Sequence, residues 1–429
     1  MSKPVNQARS KHGGDRPLSV AVIGGGAAGF FGAIAAASNN PNARVTLYEA
    51  GPQPLAKVRI SGGGRCNVTH HCFDPAQLIQ NYPRGSKALR GAFSRFQPKD
   101  TVDWFAQRGV KLKTEADGRM FPVTDDSATI VNCLSRAADR AGVQIKVRSP
   151  VTSVEKTAAG FKLRLKADYE VVCDRILLTT GSSPAGHRIA KALGHQLEPP
   201  VPSLFTFNIA DKRLHQLSGV AADPVNVRLK IAGASKKELK LLDQTGPLLI
   251  THWGLSGPAV LKLSAWAARM LHGQKYRGEM IVNWLPGQTQ EQVHSELQQV
   301  KAGSAKKAIT TYSPYSLISK RLWQYLITRI DIDAALTWAN LSKKQINQLV
   351  IELTQGVYPI TGKGVFKDEF VTCGGVRLKE VDFKTMESRQ CPGLYLSGEI
   401  LDIDGITGGF NFQSAWTTGW LAGNAVSQP

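Results

Sequence analysis

The pattern of apolar and polar positions at the start of the chain predicts a strand, a helix and a second strand. Residues 18–23 form a short β-branched apolar run, which is typical of a buried parallel strand. Alanine-rich residues 27–38 predict a helix, and residues 44–49 predict the second strand. The three segments form a βαβ unit of about the expected 30 residues.

Further along, loop-like and periodic segments alternate. Residues 51–80 are loop-like, with short helices expected within 74–80, and residues 98–108 and 127–141 show helical spacing. Strands are predicted at 143–147, 151–156, 161–165 and 175–179. One βαβ unit does not need so many strands, so they predict an inserted β-meander.

The pattern changes again beyond residue 199. The short alternating runs "LFTFNI", "VNVRLK", "ELKLL" and "EMIVNW" predict a small β-rich domain, expected to be a barrel. Residues 288–354 have helical spacing, 393–399 return to a buried strand, and a last helix begins near residue 408. The predicted organisation is a basic tail (1–17), a split α/β domain (18–198 and 370–429), a barrel-like insert (199–285 and 355–369) and a helical module (286–354).

A glycine fingerprint lies in the turn of the first βαβ unit. Gly24, Gly26 and Gly29 fit G-x-G-x-x-G, a pattern that permits a tight turn, close approach to a pyrophosphate and close helix–strand packing. Ala27 and Ala28 open the helix, whose N-terminus favours phosphate. Glu49 ends the second strand, 20 residues after Gly29, where a carboxylate accepts hydrogen bonds from ribose hydroxyls. A dinucleotide site is therefore predicted.

Composition narrows the class of protein. The 429 residues include 53 Lys and Arg against 33 Asp and Glu, a net charge of +20 that favours nucleic acid, anionic lipid or phosphorylated cofactors. The six cysteines include no Cys-x-x-Cys pair, which suits a reducing compartment. Residues 1–17 are basic and lack an apolar run, so they are not expected to be a secretory signal, and no apolar run in the sequence approaches membrane-spanning length. A cytoplasmic location without a membrane partner is expected.

The stretch "ISGGGRCNVTHHC", residues 60–72, allows several kinds of site. Cys66, His70, His71 and Cys72 could form a metal site, and Cys66 alone could be a reactive thiol. Asn67 opens an N-glycosylation sequon, which is expected to stay unmodified in a cytoplasmic chain. The three glycines instead suit a loop around a phosphate.

The far end of the chain bears on which dinucleotide is bound. "GLYLSGEILDIDGITGGFNFQSAW" predicts a strand, an acidic turn and a helix that starts after two glycines. A cofactor held by both ends of the chain must be long, and a helix N-terminus stabilises the negative charge of a reduced flavin. FAD fits both requirements.

These motifs resemble the HI0933-like flavoproteins of bacteria, also called YhiN- or BaiN-like FAD-dependent oxidoreductases. "GGGAAG", "KVRISGGGRCN", "THWGLSGPAVLKLS", "CGGV", "TMES" and "GLYLSGEILDIDGITGGFNFQ" carry the resemblance, between positions 24 and 413. It implies an α/β plus β fold: a Rossmann-like, glutathione-reductase-like FAD-binding domain, split in sequence, with an inserted β-barrel and a small helical domain. The loop after Gly181 is shorter than in relatives, so their substrates are not carried over.

The resemblance also implies roles for individual residues, and no metal site. The loop containing Ser61, Gly62, Gly63 and Asn67 would lie against the flavin and pyrophosphate, with charge from Lys57 and Arg65. The adenine would meet the backbone at Val151, and Thr180 and Gly181 would border the dinucleotide. The remaining expected contacts are Gly398, Glu399 and Asp402 near the ribityl chain and pyrophosphate, and Gly409, Phe410, Asn411 and Gln413 at the isoalloxazine.

The expected reaction is hydride transfer from reduced flavin N5 to an activated C=C bond of a small molecule. The sequence has no second G-x-G-x-x-G unit, so NAD(P)H is expected only as a transient electron donor. Cys66 and His252 are the candidate proton donors, and each also has a purely structural interpretation. The alternative is an RNA-modifying flavoenzyme that reduces uridine in ribosomal RNA, which the charge favours. A flavin-binding protein without turnover is a third alternative, and the sequence indicates no oligomeric state.

Overall fold

The computed structural model describes residues 16–166, 169–231, 233, 235–364 and 371–428. Its first part has strands β1 (Ser19–Ile23), β2 (Arg44–Tyr48), β3 (Thr69–His70), β4 (Leu112–Thr114), β5 (Arg119–Pro122), β6 (Gln144–Lys146), β7 (Val151–Thr157), β8 (Gly160–Leu165), β9 (Glu170–Cys173), β10 (Arg175–Leu178) and β11 (Leu197–Ser203). Its helices are α1 (Ala27–Asn39), α2 (Ala56–Ile60), α3 (Pro75–Leu78), α4 (Ser86–Phe93), α5 (Pro98–Ala106), α6 (Ser127–Arg140) and α7 (Pro184–Ala192).

The middle and final parts complete the fold. The middle part has strands β12 (Phe207–Ile209), β13 (Ala221–Lys230), β14 (Asp243–Ile250), β15 (Gly254–Ser256), β16 (Gly278–Asn283) and β17 (Gly356–Lys363), and helices α8 (Lys212–His215), α9 (Lys236–Leu241), α10 (Pro258–Gly273), α11 (Gln290–Gly303), α12 (Lys320–Arg329) and α13 (Lys343–Gln355). The final part has β18 (Val371–Val376), β19 (Val381–Asp382), β20 (Glu387–Ser388), β21 (Leu394–Leu396) and α14 (Phe410–Val426).

A seven-stranded sheet in the order β19-β20-β21-β10-β1-β2-β6 forms the centre of the α/β domain. β1 pairs in parallel with β2 and with β10, placing Val22 opposite Leu47 on one side and Leu177 on the other. These three side chains are fully buried. The carboxyl ends of the parallel strands therefore share one edge, where ligands bind in open α/β sheets.

Helices α1 and α14 pack directly against each other. A Cβ added to Gly419 of α14 would lie 2.7 Å from the carbonyl oxygen of Ala28 in α1, and one added to Gly423 would lie 2.3 Å from that of Gly32. Only glycine permits this approach. Helices α1 and α14, which are far apart in the sequence, are thus brought to the same face of the sheet.

The middle of the chain forms a closed six-stranded barrel in the order β12-β15-β14-β13-β16-β17, which confirms the predicted barrel. A hydrophobic core separate from that of the α/β domain fills it and continues between α11, α12 and α13, where Trp284, Trp323 and Trp338 are buried. β12 pairs antiparallel with β17, with Phe207 opposite Lys363, so the insert begins and ends on neighbouring strands.

The structure corrects three details of the sequence prediction. The run "ELKLL" forms helix α9 rather than a strand, and a 16-residue helix, α10, lies where only strands were predicted. The meander consists of β7, β8 and β9, whereas the segments predicted at 143–147 and 175–179 supply strands β6 and β10 of the main sheet.

The predicted tail lies outside the described residues except for Arg16 and Pro17. Within the described ranges, no helix has the length and apolar character needed to cross a membrane.

Candidate functional site

The turn between β1 and α1 is tightly packed at two glycines and open at the third. Gly24 has φ = +110°, and a Cβ there would lie 2.5 Å from the carbonyl oxygen of Thr179. A Cβ on Gly29 would lie 2.0 Å from the carbonyl oxygen of Gly24. Gly26, the N-cap of α1, has no atom within 4 Å of its Cβ position. The turn thus presents an open helix N-terminus that suits a pyrophosphate.

Glu49, directly after β2, closes this turn from the adjacent strand. Its carboxylate accepts hydrogen bonds from the backbone N–H of Gly25 (2.8 Å) and of Gly51 (2.6 Å). A carboxylate offers about four lone-pair positions, so acceptor capacity remains for ribose hydroxyls. The N–H of Ser149 donates to the carbonyl oxygen of Glu49 (2.8 Å), which places Val151, the first residue of β7, close to the same edge.

The loop at residues 61–66 consists largely of left-handed backbone. Gly62, Gly63 and Gly64 have φ of 58°, 69° and 85°, and Cys66 has φ = 62°. A Cβ on Gly63 or Gly64 would meet no atom within 4 Å, whereas one on Gly62 would meet Phe121. Ser61 holds the loop against α2, since its hydroxyl donates to the carbonyl oxygen of Val58 (3.1 Å). The loop therefore exposes backbone that a ligand can approach closely.

Asn67 ties this loop to the start of α14. With the Asn67 amide oriented so that both of its polar atoms have partners, its nitrogen donates to the carbonyl oxygen of Thr69 (3.0 Å), and its oxygen accepts from the N–H of Gly409 (2.9 Å). Gly409, the N-cap of α14, has φ = +91°, and a Cβ there would lie 2.5 Å from the carbonyl oxygen of Thr69. No side chain of the described residues caps the helix. Its first N–H groups therefore offer partial positive charge to a ligand.

Phe410, the first residue of α14, is fixed by aromatic neighbours. Its ring stacks on His70 with centroids 4.6 Å apart, and its carbonyl oxygen accepts a hydrogen bond from the Tyr82 hydroxyl (2.7 Å). Burial lowers the pKa of His70, whose Nε2 lies 3.1 Å from the carbonyl oxygen of Asp117. The sequence indicated His70 only as a candidate metal ligand. Its contact with Phe410 depends on tertiary packing that no local motif reveals.

Comparison with known proteins identifies the family. The family model described as "HI0933-like protein Rossmann domain" matches residues 18–425. The chain belongs to the HI0933-like family of FAD-dependent oxidoreductases. The resemblance in the sequence and the Rossmann-like fold are thereby confirmed.

Three curated relatives cover nearly the whole HI0933-like chain. The 3-dehydro-bile acid delta(4,6)-reductase of Clostridium scindens is 30% identical over 95% of this chain and 99% of its own length. The ribosomal RNA dihydrouridine synthase of Escherichia coli is 32% identical over 93% and 95%. The enzyme of the same name from Haemophilus influenzae is 30% identical over 95% and 98%.

The residues present fit the FAD that the family implies. The open space at Gly26, the spare acceptor capacity of Glu49 and the uncapped start of α14 provide partners for a pyrophosphate, a ribose and an electron-rich ring. Ala27 and Ala28 begin α1 behind the turn, and a Cβ on Gly398 would lie 2.8 Å from that of Ala28. β21 and its following turn therefore close over the helix start in this HI0933-like protein.

Lys57 and Glu399 form an ion pair across the site. Lys57 Nζ lies 2.8 Å from Glu399 Oε2, and Glu399 Oε1 accepts the N–H of Thr372 (2.8 Å). A Cβ on Gly181, where φ is +59°, would lie 3.7 Å from Glu399 Oε2, and the neighbouring Thr180 hydroxyl is buried without a partner among the described residues. The structure thus brings these four residues of the family pattern together.

Arg65 has protein partners where the sequence predicted cofactor contacts. Its guanidinium lies 2.6 Å from a Glu115 oxygen, 3.5 Å from Asp125 and 4.0 Å from the centre of the Phe121 ring. The acidic partners neutralise the charge that a phosphate would need. A phosphate contact of Arg65 would therefore compete with Glu115, and this role stays a prediction.

Asp402, Asn411 and Gln413 also have protein partners. Asp402 pairs with Arg269 of α10 (2.7 and 2.8 Å), and the Asn411 amide bonds the backbone of Gly405 (2.8 and 2.9 Å). The Gln413 oxygen accepts from the hydroxyls of Thr69 (2.6 Å) and Thr101 (3.0 Å), and its side chain is fully buried. In this structure these residues hold the start of α14 in place, and their cofactor contacts stay predictions.

The two predicted proton donors lie in different surroundings. Cys66 is fully buried in the core of the α/β domain, and burial raises the pKa of its thiol to about 12. His252 is exposed on the turn between β14 and β15. Their catalytic roles stay predictions.

The side chains around Cys66 are not arranged as a metal site. His70 stacks on Phe410, while His71 lies against Phe73 with ring centres 4.4 Å apart. In the part of the chain that the structure describes, no group of three or more His, Cys, Asp or Glu side chains could hold a metal ion.

Proposed function

We propose that this chain uses FAD to reduce a carbon–carbon double bond conjugated to a carbonyl group in a small molecule. The observation that carries the proposal is the start of α14, which has no side-chain cap and is fixed to the loop at residues 61–67 by the Asn67–Gly409 hydrogen bond. Bound FAD would supply a hydride at N5. The N–H groups at the start of α14 would stabilise negative charge on the flavin ring.

Each part of the site would have a separate task. The N-terminus of α1 would hold the pyrophosphate and Glu49 the ribose, while the buried, stacked Phe410 would keep water from the ring. His252 is the better candidate proton donor because it is exposed on the turn between β14 and β15, where a substrate can reach it. The buried Cys66 thiol, with its pKa of about 12, gives up its proton reluctantly.

The name of the Clostridium scindens relative, 3-dehydro-bile acid delta(4,6)-reductase, supports this reaction, since it denotes reduction of an oxidised bile acid with double bonds at positions 4 and 6. The test is anaerobic reduction of the purified yellow protein with NADH or NADPH, followed by addition of a steroid 4-en-3-one. Bleaching and then recovery of flavin absorbance, with formation of the saturated ketone, is expected. Reduced flavin that no conjugated ketone reoxidises would contradict the proposal.

His252→Gln and Cys66→Ser distinguish the proton donors. We expect His252→Gln to lower kcat about 10²-fold or more with little change in flavin content. Cys66→Ser should leave kcat within a few-fold of wild type. The reverse result would assign the proton to Cys66.

A second candidate is reduction of uridine in ribosomal RNA. The net charge of +20 and the names of the Escherichia coli and Haemophilus influenzae relatives favour it. Because a base in a helix is stacked, the uridine would have to rotate out to reach the flavin. Filter binding of ribosomal RNA over a salt series should give a steep fall of log Kobs with log salt. Weak binding that is insensitive to salt would remove this candidate.

A further inference from the structure

A second cavity lies in the α/β domain, away from the glycine turn. It has a volume of about 770 Å³ and lies between the end of α4 and the edge hairpin formed by β19 and β20. β19 is four strand positions from β1 in the sheet, a separation of about 19 Å at the usual strand spacing. None of the residues assigned above to FAD or to catalysis lines it.

The cavity is strongly basic. Arg95, Lys379, Lys384 and Arg389 line it, against a single carboxylate, Asp382. Asp382 is engaged by the backbone N–H of Lys384 (3.0 Å) and by Arg389 (3.7 Å). Among the described residues, no carboxylate lies within 4.0 Å of the ammonium group of Lys379 or Lys384. Four converging cations with one acid favour an anionic ligand.

Two of the four cations are oriented by the protein. One nitrogen of the Arg95 guanidinium donates to the carbonyl oxygen of Lys384. The Arg389 guanidinium pairs with Asp382, and the backbone N–H of Arg389 donates to the carbonyl oxygen of Glu380. A guanidinium has five N–H donors in a planar fork, so most of those of Arg95 and Arg389 remain for a ligand. Planar donors of this kind bind phosphate oxygens in pairs.

The rest of the lining is apolar and includes an aromatic ring. Leu378, Val381 and Phe383 contribute to it, and Val381 is almost completely buried while the Phe383 ring is partly accessible. A partly exposed ring beside phosphate-binding groups suits the flat face of a nucleobase. The volume is within the range of small-ligand sites.

We propose that this cavity binds a free nucleoside phosphate, with the base against Phe383 and Leu378 and the phosphate held by Arg389, Lys379 and Lys384. The site is separate from the flavin site and does not depend on the reaction proposed above. The cationic side chains and the aromatic surface together favour a ligand that has both a phosphate and a base. Adenosine has no phosphate for the cationic side chains, and inorganic phosphate has no base to lie against Phe383.

The test is calorimetric titration of the flavin-loaded protein with AMP, adenosine and inorganic phosphate in parallel. Because FAD already occupies its own site in this protein, AMP cannot bind where the adenine of FAD binds. We expect AMP to bind with one-to-one stoichiometry, more tightly than either adenosine or phosphate. No saturable heat with AMP would overturn the proposal, as would a short RNA that binds at this cavity when AMP does not.

Substitutions in the lining test whether AMP binds in this cavity. Lys379→Gln combined with Arg389→Gln should weaken AMP about tenfold, because two exposed charges are removed from the phosphate. Phe383→Leu should weaken AMP and adenosine but not phosphate. Lys87→Gln, at an exposed position of α4 outside the cavity, is the matched control and should bind AMP like wild type. Unchanged AMP affinity in the double variant, with wild-type flavin content and melting temperature, would contradict the assignment.

Discussion

Gly29 and Gly26, both at the start of α1, differ in how much free space surrounds their Cβ positions. Gly29→Ala should destabilise the fold by about 2–4 kcal/mol, because its Cβ would lie 2.0 Å from the carbonyl oxygen of Gly24. Gly26→Ala should change stability by about 1 kcal/mol or less, since its Cβ meets no protein atom. Its methyl group would instead fill the place of the pyrophosphate and lower FAD affinity about tenfold or more.

Urea unfolding and reconstitution of flavin-free protein with FAD measure the two effects. Gly273→Ala, at the end of α10, is the matched control, because its Cβ position is also open and its backbone is not left-handed. FAD affinity of Gly26→Ala equal to that of wild type would show that the cofactor does not approach this turn.

Three histidines should make stability depend on pH. Burial lowers the pKa of His70, His187 and His195, so the folded state holds them neutral. As pH falls below about 6.5, the unfolded chain takes up protons that the folded chain does not, and stability falls by at most about 1.4 kcal/mol per pH unit for each histidine. Above pH 7 this dependence disappears.

Urea midpoints between pH 8 and pH 5.5 test this expectation. His187→Gln should reduce the slope, because the Nε2 atom of His187 is buried without a partner among the described residues. A urea midpoint that does not vary with pH below 6.5 would contradict the expected dependence on the three histidines.

The sequence carries a signal for local geometry in the candidate site and none for side-chain pairing between distant positions. Gly24 and Glu49 were identifiable because turn geometry and strand spacing constrain them. The partners of Arg65 and Asp402 were not, since Glu115 is 50 positions and Arg269 133 positions away in the chain. Only tertiary packing brings such charges together.

At the scale of elements, a buried ion pair joins the turn before α14 to the neighbouring helices. Asp404 is fully buried, pairs with Arg84 and accepts the hydroxyl of Ser203 (2.8 Å), while Arg84 also donates to the carbonyl oxygen of Ala265 in α10 (2.7 Å). Arg84→Leu should cost about 3–5 kcal/mol, because it leaves a buried carboxylate unpaired.

The ion pair between Arg269 of α10 and Asp402, which is more exposed than the Arg84–Asp404 pair, provides the control for the effect of burial. Arg269 is 42% exposed, so Arg269→Leu should cost about 1 kcal/mol or less. Urea unfolding of both variants gives the comparison. Equal costs would show that burial does not decide the strength of these pairs.

Element prediction failed where the apolar pattern was ambiguous. The run "ELKLL" alternates like a strand, but the Ser235–Glu238 capping box before it starts a helix, and that signal is readable in the sequence. α10 is apolar on most faces because it packs on both the barrel and the α/β domain, so it lacks the usual amphipathic period. β1, β2, β10 and β21 were predicted as strands because buried parallel strands are continuous apolar runs, although β10 was assigned to the meander. The two-residue strands β19 and β20 were not predicted.

At the scale of the whole molecule, the insert has the features of an independent folding unit. It has its own core, and its first and last strands are neighbours in the barrel. We expect residues 205–364 expressed alone to unfold cooperatively in urea, followed by circular dichroism. Trp338→Ala should destabilise this fragment by about 3–5 kcal/mol, because the ring is fully buried there. A fragment without a cooperative transition would show that the α/β domain is needed for the barrel.

The contact between α1 and α14 has a consequence for biosynthesis. The pyrophosphate turn leaves the ribosome early, but Gly409, which bonds Asn67, and the glycines of α14 that admit α1 follow only after the barrel and the helical module. The nascent polypeptide therefore has half a binding cleft until α14 leaves the ribosome. Cofactor loading must wait for that helix, and a truncation that removes it should yield a colourless product however well the earlier portion folds.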